Sequence, residues 1–218
     1  MDFSYLLKLA YLLLGGLRYT CGLFAITIVI SLPLGLLLSF LRVSKIKIIS
    51  GVLWFYVWIM RGTPLLLQLF FFYYALPFVP GIGKYLTMGR FMAACVAFVL
   101  NYAAYFAEIF RGGILSVDIG QHEAAKVLGF SEFKTKIKIV VPQMLRVCLP
   151  PISNETITLV KDTALVTVIG ITDILYFART SVNRDVNPTA FLVVAIFYLV
   201  MTFIVTQVFK YLEKRYKF

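Results

Sequence analysis

Residues 19–41 run for 23 positions without a charged side chain, and Arg18 and Arg42 bracket them. As an α-helix at 1.5 Å per residue this run is about 34 Å long, enough to cross a hydrocarbon core of about 30 Å. Four more apolar stretches follow. They are 51–82, broken only by Arg61; 91–107, ending at Glu108; 147–172, holding Glu155, Lys161 and Asp162; and 186–209, uncharged. The pattern predicts an all-α integral membrane protein with five transmembrane helices in a single domain over 1–218. The first run is too long for the apolar core of a cleaved signal peptide and lacks a small-residue cleavage site.

Composition agrees. The chain is 61% hydrophobic and 14% charged, against about 25% charged in ordinary globular chains. In a soluble protein the net charge of +11 would suggest nucleic acid; here it reads as topology. With an odd number of spans the termini lie on opposite sides. Placing the C-terminus in the cytoplasm puts 13 of the 21 Lys and Arg there, Lys45 and Lys217 among them, and leaves six outside. The positive-inside rule therefore predicts an outside N-terminus and a cytoplasmic C-terminus. Cys21, Cys95 and Cys148 sit in or beside apolar spans with no short spacing, which suits packing rather than metal or disulfide.

The longest cytoplasmic loop under this topology, about 112–146, contains HEAAKVLGF at 122–130. It reads as a short helix closed by Gly129 in a left-handed cap, with Ala124, Val127 and Leu128 on one face. Ser131 predicts the cap of a second helix with Glu132 in its first turn. On that helix Phe133, Ile137, Val140 and Val141 form an apolar stripe, and Pro142 should end or kink it. A basic helix can float on anionic lipid, but small alanines bury little there. They suit close approach of a partner backbone instead.

The segment GQHEAAKVLGFSEFKTKIKIVVPQ resembles the EAA loop of importer-type ABC permeases, through Glu123, Ala124, Ala125, Gly129, Val141 and Pro142. RGTPLLLQ at 61–68, YFAEIFRGGI at 105–114 and LVKDTALVTVIG at 159–170 resemble the polar amino-acid branch of that family. The resemblance implies a type I ABC importer transmembrane domain in a bacterial inner or plasma membrane. It also implies that His122, Glu123, Ala124, Ala125, Val127, Leu128 and Gly129 form a coupling helix docking on an ATPase subunit dimer. A second permease subunit, an extracytoplasmic substrate-binding protein and a polar amino-acid substrate are the other implied partners. No GxxxxGK[ST] pattern occurs, so ATP is expected on the partner; the chain itself is expected to be neither an enzyme nor a cofactor carrier. The rival reading is a stand-alone ion-coupled carrier of amino acids.

Ionisable side chains at membrane depth face a cavity or a partner. In the fourth stretch Glu155, Thr158 and Asp162, with Asn154 and Lys161, fall on one broad polar stripe at helical spacing. They either meet an amino-acid zwitterion or neutralise neighbours at a seam between spans. Asn101 and Tyr105 offer a second polar face in the third stretch, and Glu108 and Arg111 an ion pair at its end. Gly62 and Pro64 predict a break in the second, with Thr63 and Gln68 as candidate lining. Trp54 and Trp58 read as packing or interface anchors.

Overall fold

The structure, a computed structural model, describes residues 3–44 and 46–216. Lys45 and Lys217 of the charge tally lie outside them. Helices α1 (Phe3–Arg42), α2 (Lys47–Gly62), α3 (Leu65–Phe70), α4 (Arg90–Leu115), α5 (Ile119–Val127), α6 (Glu132–Thr135), α7 (Val141–Asp162), α8 (Ile174–Asp185) and α9 (Thr189–Tyr216) follow in order, with no strand among the described residues. Three of them, over Ser4–Arg42, Arg90–Leu115 and Thr189–Arg215, are long and apolar enough to span a bilayer. The pair Lys47–Gly62 and Leu65–Phe78 makes a fourth such unit, bent by 105°. Among the described residues α7 does not join them on length and composition: Arg146, Glu155, Lys161 and Asp162 lie along it.

α4 forms the centre of the bundle. Its alanines at 93, 94, 97, 103, 104 and 107 are all fully buried, because small residues let helix backbones approach where lipid gives no hydrophobic drive. α1 lies along it. A Cβ on Gly35 would fall 2.6 Å from Phe106 Cβ and 3.1 Å from Ala103 O, so only glycine fits that crossing. α7 packs on α4 and α9, and α8 on α1 and α9. Phe98, Tyr102, Phe106, Met144 and Leu159 fill the main core between these helices.

Two sequence expectations change here. The first helix begins at Phe3 rather than at Tyr19. Its early turns bury Leu9 and Leu13 against Ile174, Ala178, Ala190 and Val194, so Lys8 and Arg18 do not end it. Pro142 does not end the helix after Ser131 either. The backbone widens into a π turn over Lys136–Val140, where Val141 N bonds Lys136 O, and runs on through α7. That wider turn accommodates a residue with no N–H to give. The apolar stripe divides accordingly: Val140 is buried, while Phe133 and Ile137 are exposed.

Candidate functional site

The expected break between α2 and α3 falls at Thr63–Pro64. Pro64 has no N–H, so Met60 O loses the donor an unbroken helix would supply. Two side chains replace it. Gln68 Nε2 and Asn101 Nδ2 each donate to Met60 O at 2.9 Å. Gln68 Nε2 also reaches Thr63 Oγ1 at 2.8 Å, and Asn101 Nδ2 donates to Gln68 Oε1 at 3.0 Å. Gln68 and Asn101 are both buried. Gln68 is thus a clamp on the break rather than lining, and Asn101 joins that clamp while its edge still meets the space beyond.

That space is a cavity of about 640 Å³. α2, the break and α3 contribute Arg61 through Leu66; α4 contributes Asn101, Tyr102 and Tyr105; α7 contributes Glu155, Thr158 and Asp162. The i, i+3, i+7 stripe read from sequence is therefore gathered on one wall. Asn154 and Lys161, on the same helix, are exposed and lie outside the lining. Tyr102 OH donates to Asp162 Oδ2 at 2.8 Å and fixes that carboxylate. The Arg61 guanidinium stands 5.3 Å from the Tyr105 ring centroid, a cation–π arrangement. No ion pair joins Arg61, Glu155 or Asp162 to an opposite charge among the described residues. Arg61 and Tyr102 are the polar lining residues that the sequence reading gave no role. A larger concavity of about 770 Å³ lies along the first turns of α1 beside Arg184. Its charged lining residues, Lys8 and Arg184, are both cations, and Arg184 is already paired with Asp185, so chemistry points to the smaller one.

The cavity therefore gathers one cation and two carboxylates, with two threonines and two tyrosines, in one lining. An α-amino acid carries the complementary pair of charges, an ammonium and a carboxylate, on groups attached to one carbon.

At the far end of α4, Arg111 donates twice to Glu108, at 2.6 and 3.0 Å, as the spacing predicts. Arg42 at the end of α1 pairs with the same carboxylate, which the sequence did not reveal. Two guanidiniums on one carboxylate leave a surplus positive charge there. Beyond them Asp118 caps α5 by accepting from Gly120 N at 2.7 Å. Gly129 takes φ +74°, and Phe130 N bonds Ala125 O at 3.0 Å, the Schellman closure that a left-handed glycine permits. Ala125 is buried, whereas Glu123, Ala124, Val127 and Leu128 are exposed and His122 is half-buried. Val127 and Leu128 are 87% and 72% exposed, an apolar face with nothing of its own chain upon it.

Residues 31–218 match the family described as binding-protein-dependent transport system inner membrane component. The arginine transport system permease protein ArtQ of Bacillus subtilis is 37% identical over 100% of this chain and 98% of its own length. The histidine/lysine/arginine/ornithine transport system permease protein HisM of Escherichia coli is 38% identical over 92% of this chain and 87% of its own. Among solved structures, an amino acid ABC transporter crystallised with histidines superposes with TM-score 0.86 at 32% identity over 99% of both chains. The MetNI methionine ABC transporter shares the fold, with TM-score 0.73 at 20% identity.

Proposed function

This chain belongs to the family of binding-protein-dependent transport system inner-membrane components, and from that premise we propose how it moves its cargo. It is a multi-pass membrane permease subunit of an amino-acid ABC importer. Five spans, with α7 as the polar one and the N-terminus outside, enclose half of a path completed by a second permease subunit. A polar amino acid arrives from an extracytoplasmic binding protein and rests in the 640 Å³ cavity. Arg61 receives its carboxylate, and Glu155 its ammonium or a cationic side chain, while Tyr102 holds Asp162 in place. The α5 face of Ala124, Val127 and Leu128 docks on the ATPase subunit dimer, which binds and hydrolyses ATP and drives the cycle. The family match speaks for this reading and against the stand-alone ion-coupled carrier.

The observation that carries the substrate assignment is the unpaired Arg61 facing Glu155 across a polar cavity. The test is binding of arginine, histidine, glutamine and cystine to the purified permease–ATPase complex without the binding protein. Glu155→Gln and Arg61→Met each remove a charge-assisted hydrogen bond of about 1.5–3 kcal/mol, so affinity should fall about 10- to 150-fold. Lys161→Met, outside the cavity, should bind like wild type. Wild-type affinity in Glu155→Gln with the complex intact would return that carboxylate to a structural role.

A further inference from the structure

Arg61 is shared between two spaces. On one side lies the cavity; on the other is a groove of about 330 Å³ lined by Arg42, Trp54, Val57, Trp58, Arg61 and Gly62. Residues 54, 57, 58 and 61 follow at i, i+3, i+4 and i+7, so they form one face of α2. The groove runs from the break toward Lys47, where α2 begins, and meets the end of α1 at Arg42. Trp54 and Trp58 stack with centroids 6.1 Å apart and planes 6° from parallel, and they are 53% and 59% exposed. Arg61 and Gly62 line both the cavity and the groove, and a Cβ built on Gly62 meets no atom within 4 Å.

A lipid-facing helix surface does not carry an unpaired arginine beside a tryptophan pair without cause, because such a cation at membrane depth costs several kcal/mol. Among the described residues Arg61 has no ion-pair partner, and the Arg42–Glu108–Arg111 cluster keeps an excess positive charge. The groove is therefore aromatic in its middle and cationic at both ends, a fit for an anionic group moving between them. Resting on the cavity and orientation proposed above, we propose that this face of α2 is the cytoplasmic exit site of the substrate. Arg61 turns from the cavity into the groove through the open side of Gly62, carrying the carboxylate past Trp58 and Trp54 toward Arg42. The tryptophan faces give the substrate's amino end a cation–π surface, which keeps it moving where a carboxylate pair would hold it.

The test places one thiol at Trp58→Cys, and separately at Trp54→Cys, in the full transporter with Cys21, Cys95 and Cys148 replaced by alanine. In inside-out vesicles the thiol is exposed to anionic sulfonatoethyl methanethiosulfonate or cationic trimethylammonium-ethyl methanethiosulfonate. With each rate divided by that reagent's rate on a small free thiol, a water-filled, cation-flanked exit gives modification roughly tenfold faster by the anionic reagent, slowed when saturating amino acid is present. No modification, equal normalised rates for the two reagents, or a disulfide between two copies at Trp58→Cys would mark a lipid-facing or dimer-seam surface and overturn the proposal. ATPase co-purification certifies assembly, and either position suffices for the measurement. Amino-acid affinity measured on the same complexes separates the two readings. Failed labelling with intact affinity removes the exit site alone. Unshifted affinity in Glu155→Gln and Arg61→Met removes the cavity assignment on which it rests.

Discussion

The clamp at the helix break gives a quantitative prediction. Met60 O has lost its backbone donor to Pro64 and keeps two side-chain donors, Gln68 and Asn101, each at 2.9 Å. Replacing Gln68 by methionine keeps the length of the side chain and leaves Asn101 on that carbonyl. The loss is then the net worth of the remaining bonds, about 1–2 kcal/mol. Asn101→Ala alone leaves Gln68 on the carbonyl and costs a similar amount. The double variant strips both donors and leaves a carbonyl without a partner where water does not replace them, adding the desolvation cost of about 1–3 kcal/mol. The Asn101–Gln68 bond is lost in either single variant and so offsets about 1 kcal/mol of this, leaving a non-additivity of about 1 kcal/mol in the direction of greater loss. The assay is equilibrium unfolding in mixed micelles for all four corners of the cycle. Additivity within about 0.3–0.5 kcal/mol would refute the idea that one orphaned acceptor couples the two residues.

Three further outcomes are expected. Gly35→Leu should prevent stable assembly, since even its Cβ falls within 2.6 Å of Phe106 Cβ; membrane expression and monodispersity on size exclusion read this out, and a well-behaved variant would contradict the crossing. Ala124→Trp on the exposed face of α5, and Gly129→Pro at its φ +74° cap, should abolish transport and substrate-stimulated ATP hydrolysis while the permease still inserts; normal stimulated hydrolysis would remove α5 from the docking surface. Joint replacement of Cys21, Cys95 and Cys148 by alanine should keep most transport, since all three are free thiols; loss of specific uptake at normal expression would assign one of them a role.

What the sequence made legible follows from how uniquely each local signal is tied to geometry. Gly129 could be read because a left-handed cap admits few residues besides glycine. The break at Pro64 could be read because a missing N–H has a local consequence. The gathering of Glu155, Thr158 and Asp162 followed from helical spacing alone. What stayed hidden depends on contacts between distant segments. Gln68 looks like lining until the orphaned carbonyl of Met60 is seen beside it. Arg42 and Glu108 are far apart in the chain, and no periodicity joins them. Arg61 was in plain view as the sole charge in its apolar stretch, and the cost of such a charge was reason enough to ask for its role. The polar stripe on α7 offered Lys161 as a nearer cation, but that side chain points away. Pro142 left an end or a distortion of the helix open, and the π turn that decides for the distortion leaves no mark in composition.

The 40-residue α1 is about 60 Å long, twice the thickness of the hydrocarbon it crosses. It is fastened at two points, its last residue and a glycine about a third of the way along. Arg42 is latched to Glu108 at one. At the other, Gly16 lies so close to the backbone of Asp173 and Ile174 that a Cβ would overlap it. These anchor points are about 39 Å apart along the axis. A stiff bar pinned twice cannot be tipped at one pin without loading the other. A displacement of the end of α4 that carries Glu108 is therefore passed along α1 to the corner where α8 begins. Pro33 removes one rung of the helix between the pins, so the bar is weakest against bending there.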